Sequence, residues 1–196
     1  LFNKQELINN HKVFMGPINT NGKFSCVIIG EDSLLISCSE TLLEKEHKIL
    51  FIVSENPKIK SWAETHNITC IKNDSLLEQN LSSQKFEYLF SITNLKIIPE
   101  NILKLPVKSA INFHDGPLPK YAGINATSWA LMNNEKSHGI TRHLMTSGID
   151  EGAILKQTLF EISLDETALT LNTKCFESAA TSFSSLVDEL ASGTVQ

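Results

Sequence analysis

Val107-Lys108-Ser109-Ala110-Ile111-Asn112-Phe113-His114, followed at once by Asp115-Gly116-Pro117-Leu118-Pro119, decides how this chain folds. An apolar run ends in two polar side chains, and turn residues follow. Read as a strand from Val107 to Phe113, it sends Asn112 and His114 out of one face, because side chains alternate along a strand. Four earlier strand signals precede it. Phe24 to Gly30 reads as a buried parallel strand closed by a turn glycine. Lys48 to Val53, Ile68 to Ile71 and Phe86 to Ile92 read as the second, third and fourth strands.

Helical spacing fills the gaps. Leu34, Leu35, Cys38, Leu42 and Leu43 recur at helical intervals. Pro57 suits a helix start, with Ile59, Trp62 and Ala63 as its apolar stripe. Downstream, Ala126 to Met132 reads as helix, and Ile140 to Met145 and Ala153 to Ile162 as two later strands. Ser163 and Glu166 match a capping box that would open a long helix running to about Leu190. Ala168, Leu171, Cys175, Ala179, Phe183, Leu186 and Leu190 keep one face of it apolar.

This order predicts an α/β fold: a doubly wound, mostly parallel sheet whose late strands break the parallel run. Ligands in such sheets bind outside the carboxyl ends of the strands. Asn112 and His114 stand at such an end, so the fold prediction places them in a cleft.

Composition narrows the classes. The 196 residues suffice for one domain with a sizeable core. No apolar run reaches membrane-spanning length, and a cytoplasmic protein is expected. The formal net charge of −5 gives nucleic acid no general attraction. Arg142 is the one arginine, which argues weakly against a phosphate site built on arginine forks. Cys26, Cys38, Cys70 and Cys175 are scattered without metal-ligand spacing and read as free thiols. His11, His47 and His66 read as solvent or helix-end residues. Residues 1–23 are polar and read as an extension or linker ahead of a catalytic domain over residues 24–196, the whole cut from a longer polypeptide.

A second segment, Ser147-Gly148-Ile149-Asp150-Glu151-Gly152, supplies a carboxylate in a glycine-bounded loop. Asn112-x-His114, then Leu118-Pro119-x-Tyr121-x-Gly123, then Asp150 resembles the signature of the folate-dependent formyltransferase family. Trp129-Ala130-Leu131, Asn134-Glu135 and Gly139-Ile140-Thr141 extend the likeness, and His143 stands where family members often carry His. The likeness covers nearly the whole chain from Phe24.

The resemblance implies formyl transfer from 10-formyltetrahydrofolate to an amine, with Asn112, His114 and Asp150 catalytic. A donor must meet the formyl oxygen where charge develops, a role for Asn112 and His114. Asp150 would orient His114 or hold a proton-carrying water. The pterin is expected among the main-chain groups of Phe90, Ser91, Ile92 and Thr93 and of Thr146, Ser147, Gly148 and Ile149, with Leu118 and Pro119 as an apolar wall. His143 reads equally as pocket lining or packing, and Asp115 as a second carboxylate or a turn residue.

Departures from the family pattern bear on the acceptor. Asp115-Gly116-Pro117 replaces the usual Pro-Ser-Leu, and Ala122 replaces an arginine at the mouth. Glu31-Asp32 follow the first strand where glycinamide ribonucleotide formyltransferases carry a phosphate loop. The long basic insertion of methionyl-tRNA formyltransferases is missing after the second strand. The pattern is most similar to formyltransferase-like domains of nonribosomal peptide and polyketide synthetases, with a small-molecule or carrier-bound amine as acceptor and synthetase domains as neighbours. Sugar-nucleotide N-formylation, hydrolysis of the donor, and a noncatalytic interaction module stay open.

Overall fold

The structure, a computed structural model, describes residues 22–195. His11 and nearly all of the expected extension lie outside them. Within the described residues seven strands form one sheet in the order β3-β2-β1-β4-β5-β6-β7. They are β1 (Ser25–Ile29), β2 (Lys48–Val53), β3 (Thr69–Ile71), β4 (Tyr88–Ser91), β5 (Ser109–His114), β6 (Ser137–Leu144) and β7 (Ile154–Glu161). The first five pair in parallel, whereas β6 and β7 pair antiparallel. This is the expected doubly wound sheet with late antiparallel strands. The order reverses direction between β1 and β4, the kind of place where such sheets open a ligand crevice.

Among the described residues six helices cover it: α1 (Ser33–Glu44), α2 (Pro57–Thr65), α3 (Leu77–Ser82), α4 (Glu100–Leu103), α5 (Ala126–Met132) and α6 (Ala168–Ser192). Pro57 occupies the start of α2, where its missing N–H costs nothing. One sheet face packs Phe90, Ile111 and Phe113 against Leu35 and Leu42 of α1 and Phe183 and Leu186 of α6. The other packs Val27, Ile29, Val53 and Leu89 against Leu77 and Leu81 of α3 and Ile102 of α4. Alternation along β4 and β5 therefore puts Phe90 and Phe113 toward α6, and Ser91, Asn112 and His114 toward the opposite face.

Four readings need correction. The long helix is capped by Thr167, whose hydroxyl accepts from Thr170 N while the Thr170 hydroxyl accepts from Thr167 N. Ser163 and Glu166 close the preceding turn instead, with Glu166 held by Lys174. His47 is buried rather than solvated: it stacks on Phe24 at 3.8 Å and accepts from Phe24 N. β6 begins at Ser137, three residues before the expected Ile140. Helices α3 and α4 were not foreseen. They have only six and four residues, too few for a periodic signal.

Arg142 lies fully buried under α6. Its Nη2 donates to the Ala179 carbonyl at 2.8 Å, and its guanidinium sits 4.7 Å from the Phe183 ring centre. The one arginine is thus part of the packing and faces away from Asn112 and His114.

Candidate active site

β5 and β6 build the site between them. Their antiparallel register sets Asn112 opposite His143 and His114 opposite Thr141. Opposed residues share a sheet face, so four side chains converge on the face away from α6. Ser91 is the parallel partner of Asn112 on β4 and joins the row from the other side.

Asp150 arrives from the β6–β7 loop. Its Oδ2 lies 3.4 Å from His114 Nδ1, and its Oδ1 lies 3.3 Å from His143 Nε2. The backbone there is left-handed, with φ of 54°. Asp is among the few residues that tolerate this conformation. Gly123 N donates to Asp150 Oδ2 at 2.8 Å. The Leu-Pro-x-Tyr-x-Gly loop thus holds the carboxylate that stands far from it in sequence. Gly152 secures the other side of the turn, because a Cβ there would lie 1.7 Å from the Leu144 carbonyl oxygen.

Hydrogen-bond chemistry orients both rings. His143 Nδ1 faces the Leu144 carbonyl at 2.8 Å, and a carbonyl can only accept. Nε2 of the neutral ring is then free to accept from Asn112 Nδ2 at 3.2 Å. Burial pushes the His143 pKa below its usual range, favouring that neutral ring, while the Leu144 carbonyl and Asp150 act in the opposite direction. His114 is also buried, and its Nε2 donates to the Tyr121 carbonyl. Its Nδ1 is turned toward Asp150 Oδ2.

The Gly116-Pro117 departure has a packing reason. A Cβ at Gly116 would lie 2.9 Å from His114 Nε2 and 2.9 Å from the Ala126 Cβ. Thr141 and Gln157 hold the same loop. The Thr141 hydroxyl donates to the Gly116 carbonyl and accepts from Leu118 N, and Gln157 Nε2 donates to the Leu118 carbonyl. A cis peptide joins Leu118 to Pro119.

Residues expected around the pterin divide. Phe90 and Ile92 turn their side chains into the core beneath α1 and α6. Ile92 N is bonded to the Ile29 carbonyl. Ser91 faces the site, buried, and its hydroxyl has no hydrogen-bond partner. Thr93 takes a left-handed φ of 53°, unusual for a β-branched residue. Leu118 is buried and Pro119 exposed, while Thr146, Ser147 and Ile149 are exposed around half-buried Gly148. Asp115 uses its main chain: its carbonyl accepts from His138 Nε2 at 2.8 Å.

The β1–α1 turn keeps its carboxylates occupied. Asp32 caps α1 by accepting from Ser33 N, and Glu31 accepts from the Ser54 hydroxyl and Glu55 N. Among the described residues no group of His, Cys, Asp and Glu could hold a metal ion, and no helix is long and apolar enough to cross a membrane.

The open α/β sheet thus carries an Asn–His–Asp cluster at its strand ends. The sequence matches a protein family described as formyl transferase over residues 60–187, and the chain belongs to that family. It is 28% identical over 158 residues to the methionyl-tRNA formyltransferase of Alkaliphilus oremlandii, covering 72% of this chain and 51% of that protein. The chain spans about half the length of the curated relatives it matches. Among solved structures, glycinamide ribonucleotide transformylase 1 from Symbiobacterium toebii superposes with a TM-score of 0.80 at 17% identity, covering 88% and 89% of the two chains. An N-formyltransferase from Helicobacter canadensis, crystallised with folinic acid and dTDP-3-aminofucose, gives 0.75 at 22% identity, covering 87% of this chain and 65% of that one. These likenesses share the fold.

Proposed function

We propose that this chain transfers a formyl group from 10-formyltetrahydrofolate to an amine. The observation that carries the reading is the single carboxylate of Asp150 placed between His114 and His143, with Asn112 bonded to His143. One amide hydrogen of Asn112 is committed to His143, and the second remains for the formyl oxygen as charge builds on it. His114 would add a further N–H once its Nε2 turns from the Tyr121 carbonyl to that oxygen. Lost donors of this kind typically cost about 2.7–4 kcal/mol in the barrier. The amine must lose a proton and the folate nitrogen must gain one. The Asp150–His114 pair is the acid–base couple for that exchange.

Fit to the folate rests on a left-handed Thr93 beside the site. Main-chain groups of Thr146 to Ile149 would meet the pterin edge from the other side. Leu118 would close the pocket with apolar surface.

The acceptor we favour is an amine on a small molecule or a carrier protein, in a biosynthetic synthetase assembly that includes residues 24–196 as its formyltransferase domain. Its support is the β1–α1 turn, where the carboxylates of Glu31 and Asp32 stand at the start of α1 and repel phosphate. The test is to supply 10-formyltetrahydrofolate with an aminoacyl carrier protein, a nucleotide-linked amino sugar, glycinamide ribonucleotide, charged initiator tRNA, or no amine. Formylation of the aminoacyl carrier is expected. Efficient formylation of the tRNA would overturn the acceptor assignment, and formate release that no amine redirects would replace transfer by hydrolysis.

A further inference from the structure

Three polar side chains inside the described residues are buried without a complete set of partners: the Ser91 hydroxyl, Nδ1 of His138 and Nε of Arg142. Arg142 and His138 each bond a main-chain carbonyl through another nitrogen. Ser91 makes no such bond. Its residue is 1% exposed, so bulk water does not reach it. A buried hydroxyl left unpaired is unfavourable, and such a group in a native protein calls for a reason.

Its position supplies one. Ser91 is the last residue of β4, directly beside Asn112 in the parallel ladder. The antiparallel ladder on the other side of Asn112 brings His143. Asn112 therefore stands between Ser91 and His143 in one row across three strands. An amide has a donor end and an acceptor end. The donor end, Nδ2, is on His143, which leaves Oδ1 as the end a hydroxyl donor can fix.

We infer that Ser91 is a positioning residue for Asn112: in the reacting complex its hydroxyl donates to Asn112 Oδ1. Ser91 and His143 then hold the amide from opposite sides, and the remaining N–H is aimed at the formyl oxygen. The amide is prevented from turning its oxygen toward a developing negative charge. This rests on the formyl-transfer reading given above.

The test is a double-mutant cycle at Ser91 and Asn112. A neutral hydrogen bond of ordinary strength corresponds to about a tenfold change, so Ser91→Ala should lower kcat by about tenfold with KM for the folate unchanged. Ser91→Thr, which keeps the hydroxyl, should recover most of it. In an Asn112→Ala background Ser91→Ala should have no further effect. The ligand-free Ser91→Ala protein should melt no lower than wild type, because the lost group had no partner. A kcat equal to wild type, or an equal loss in the Asn112→Ala background, would overturn the inference. A raised KM alone would reassign the hydroxyl to folate binding. If wild type itself transfers no formyl group, the functional reading fails, and the Asn112 side-chain amide NMR signals decide the contact. With a folate analogue present, a shift of those signals in Ser91→Ala supports it, and superposition with wild type refutes it.

Discussion

Asp150 Oδ2 stands 3.4 Å from His114 Nδ1 although 36 positions separate the two residues, and the carboxylate is brought there by a left-handed turn. Gly123 N bonds the same oxygen. One carboxylate thereby ties together the loop after β5, the strand end carrying His114 and the loop after β6. Charge and backbone conformation at residue 150 are separable, because Asn also tolerates the left-handed region.

Asp150→Asn should accordingly keep the turn and lose the chemistry. Turnover of formyl donor should fall by about two to three orders of magnitude, the scale for a lost acid–base group. The melting temperature should stay close to wild type. Asp150→Ala should lose as much activity and melt lower. Steady-state kinetics and thermal melts on the two variants check this.

Gly152 tests the turn from its other end. A Cβ there would overlap a main-chain carbonyl oxygen, which cannot swing away as a side chain can. Gly152→Ala should cost about 2–3 kcal/mol, toward the upper end for overpacking. For a domain of this size that is a fall of roughly 4–12 °C in melting temperature. A melting curve coincident with wild type would show that the loop takes another path.

Much of this was readable in advance. Alternation placed Asn112 and His114 on one face, and the Gly–Pro turn after them marked a strand end. The same alternation separates Ser91 from Phe90 and Ile92, whose side chains face the core. His143 could not be assigned from spacing alone. Its contact with Asn112 depends on the antiparallel register of β5 against β6, a long-range pairing with no local signature. The helix start was misplaced for a different reason. Ser163 with Glu166 fits the Ser-x-x-Glu pattern, whereas the cap in the structure pairs Thr167 with Thr170, a threonine where that pattern carries Glu or Gln. His47 follows a helix end, as one of its two readings has it, but nothing local announces its stacking on Phe24.

His47 should make the fold acid-sensitive. Burial, aided by Lys23 and Lys45, lowers its pKa to about 4 from an ordinary value of 6.5. The folded protein favours the neutral ring, and the unfolded chain binds the proton first. Its contribution is therefore fully present above pH 6.5 and is lost as pH falls toward about 4. His138 and His143, also lowered by burial, act in the same direction. Denaturant melts across this range should show His47→Phe with a shallower loss of stability than wild type, even though it leaves Phe24 N without its acceptor. An unchanged slope would reject His47 as a contributor.

A stable folate analogue should bind the folded chain alone. At a hundred times its dissociation constant it adds about 2.7 kcal/mol, a rise of roughly 5–10 °C in melting temperature. Gly148→Trp should reduce the shift by filling the loop that carries Asp150. No shift at millimolar analogue in a cooperatively melting protein would favour a noncatalytic role for the domain.

The most direct test follows the formyl carbon itself. Wild type and His114→Ala are each given 10-formyltetrahydrofolate labelled with carbon-13 in the formyl group, together with an aminoacyl carrier protein, and the label is traced by mass spectrometry. With wild type the label should appear as an N-formyl amide. With His114→Ala it should appear about two to three orders of magnitude more slowly. Equal rates in the two proteins, or label recovered from wild type only as formate, would contradict the assignment of this site to formyl transfer.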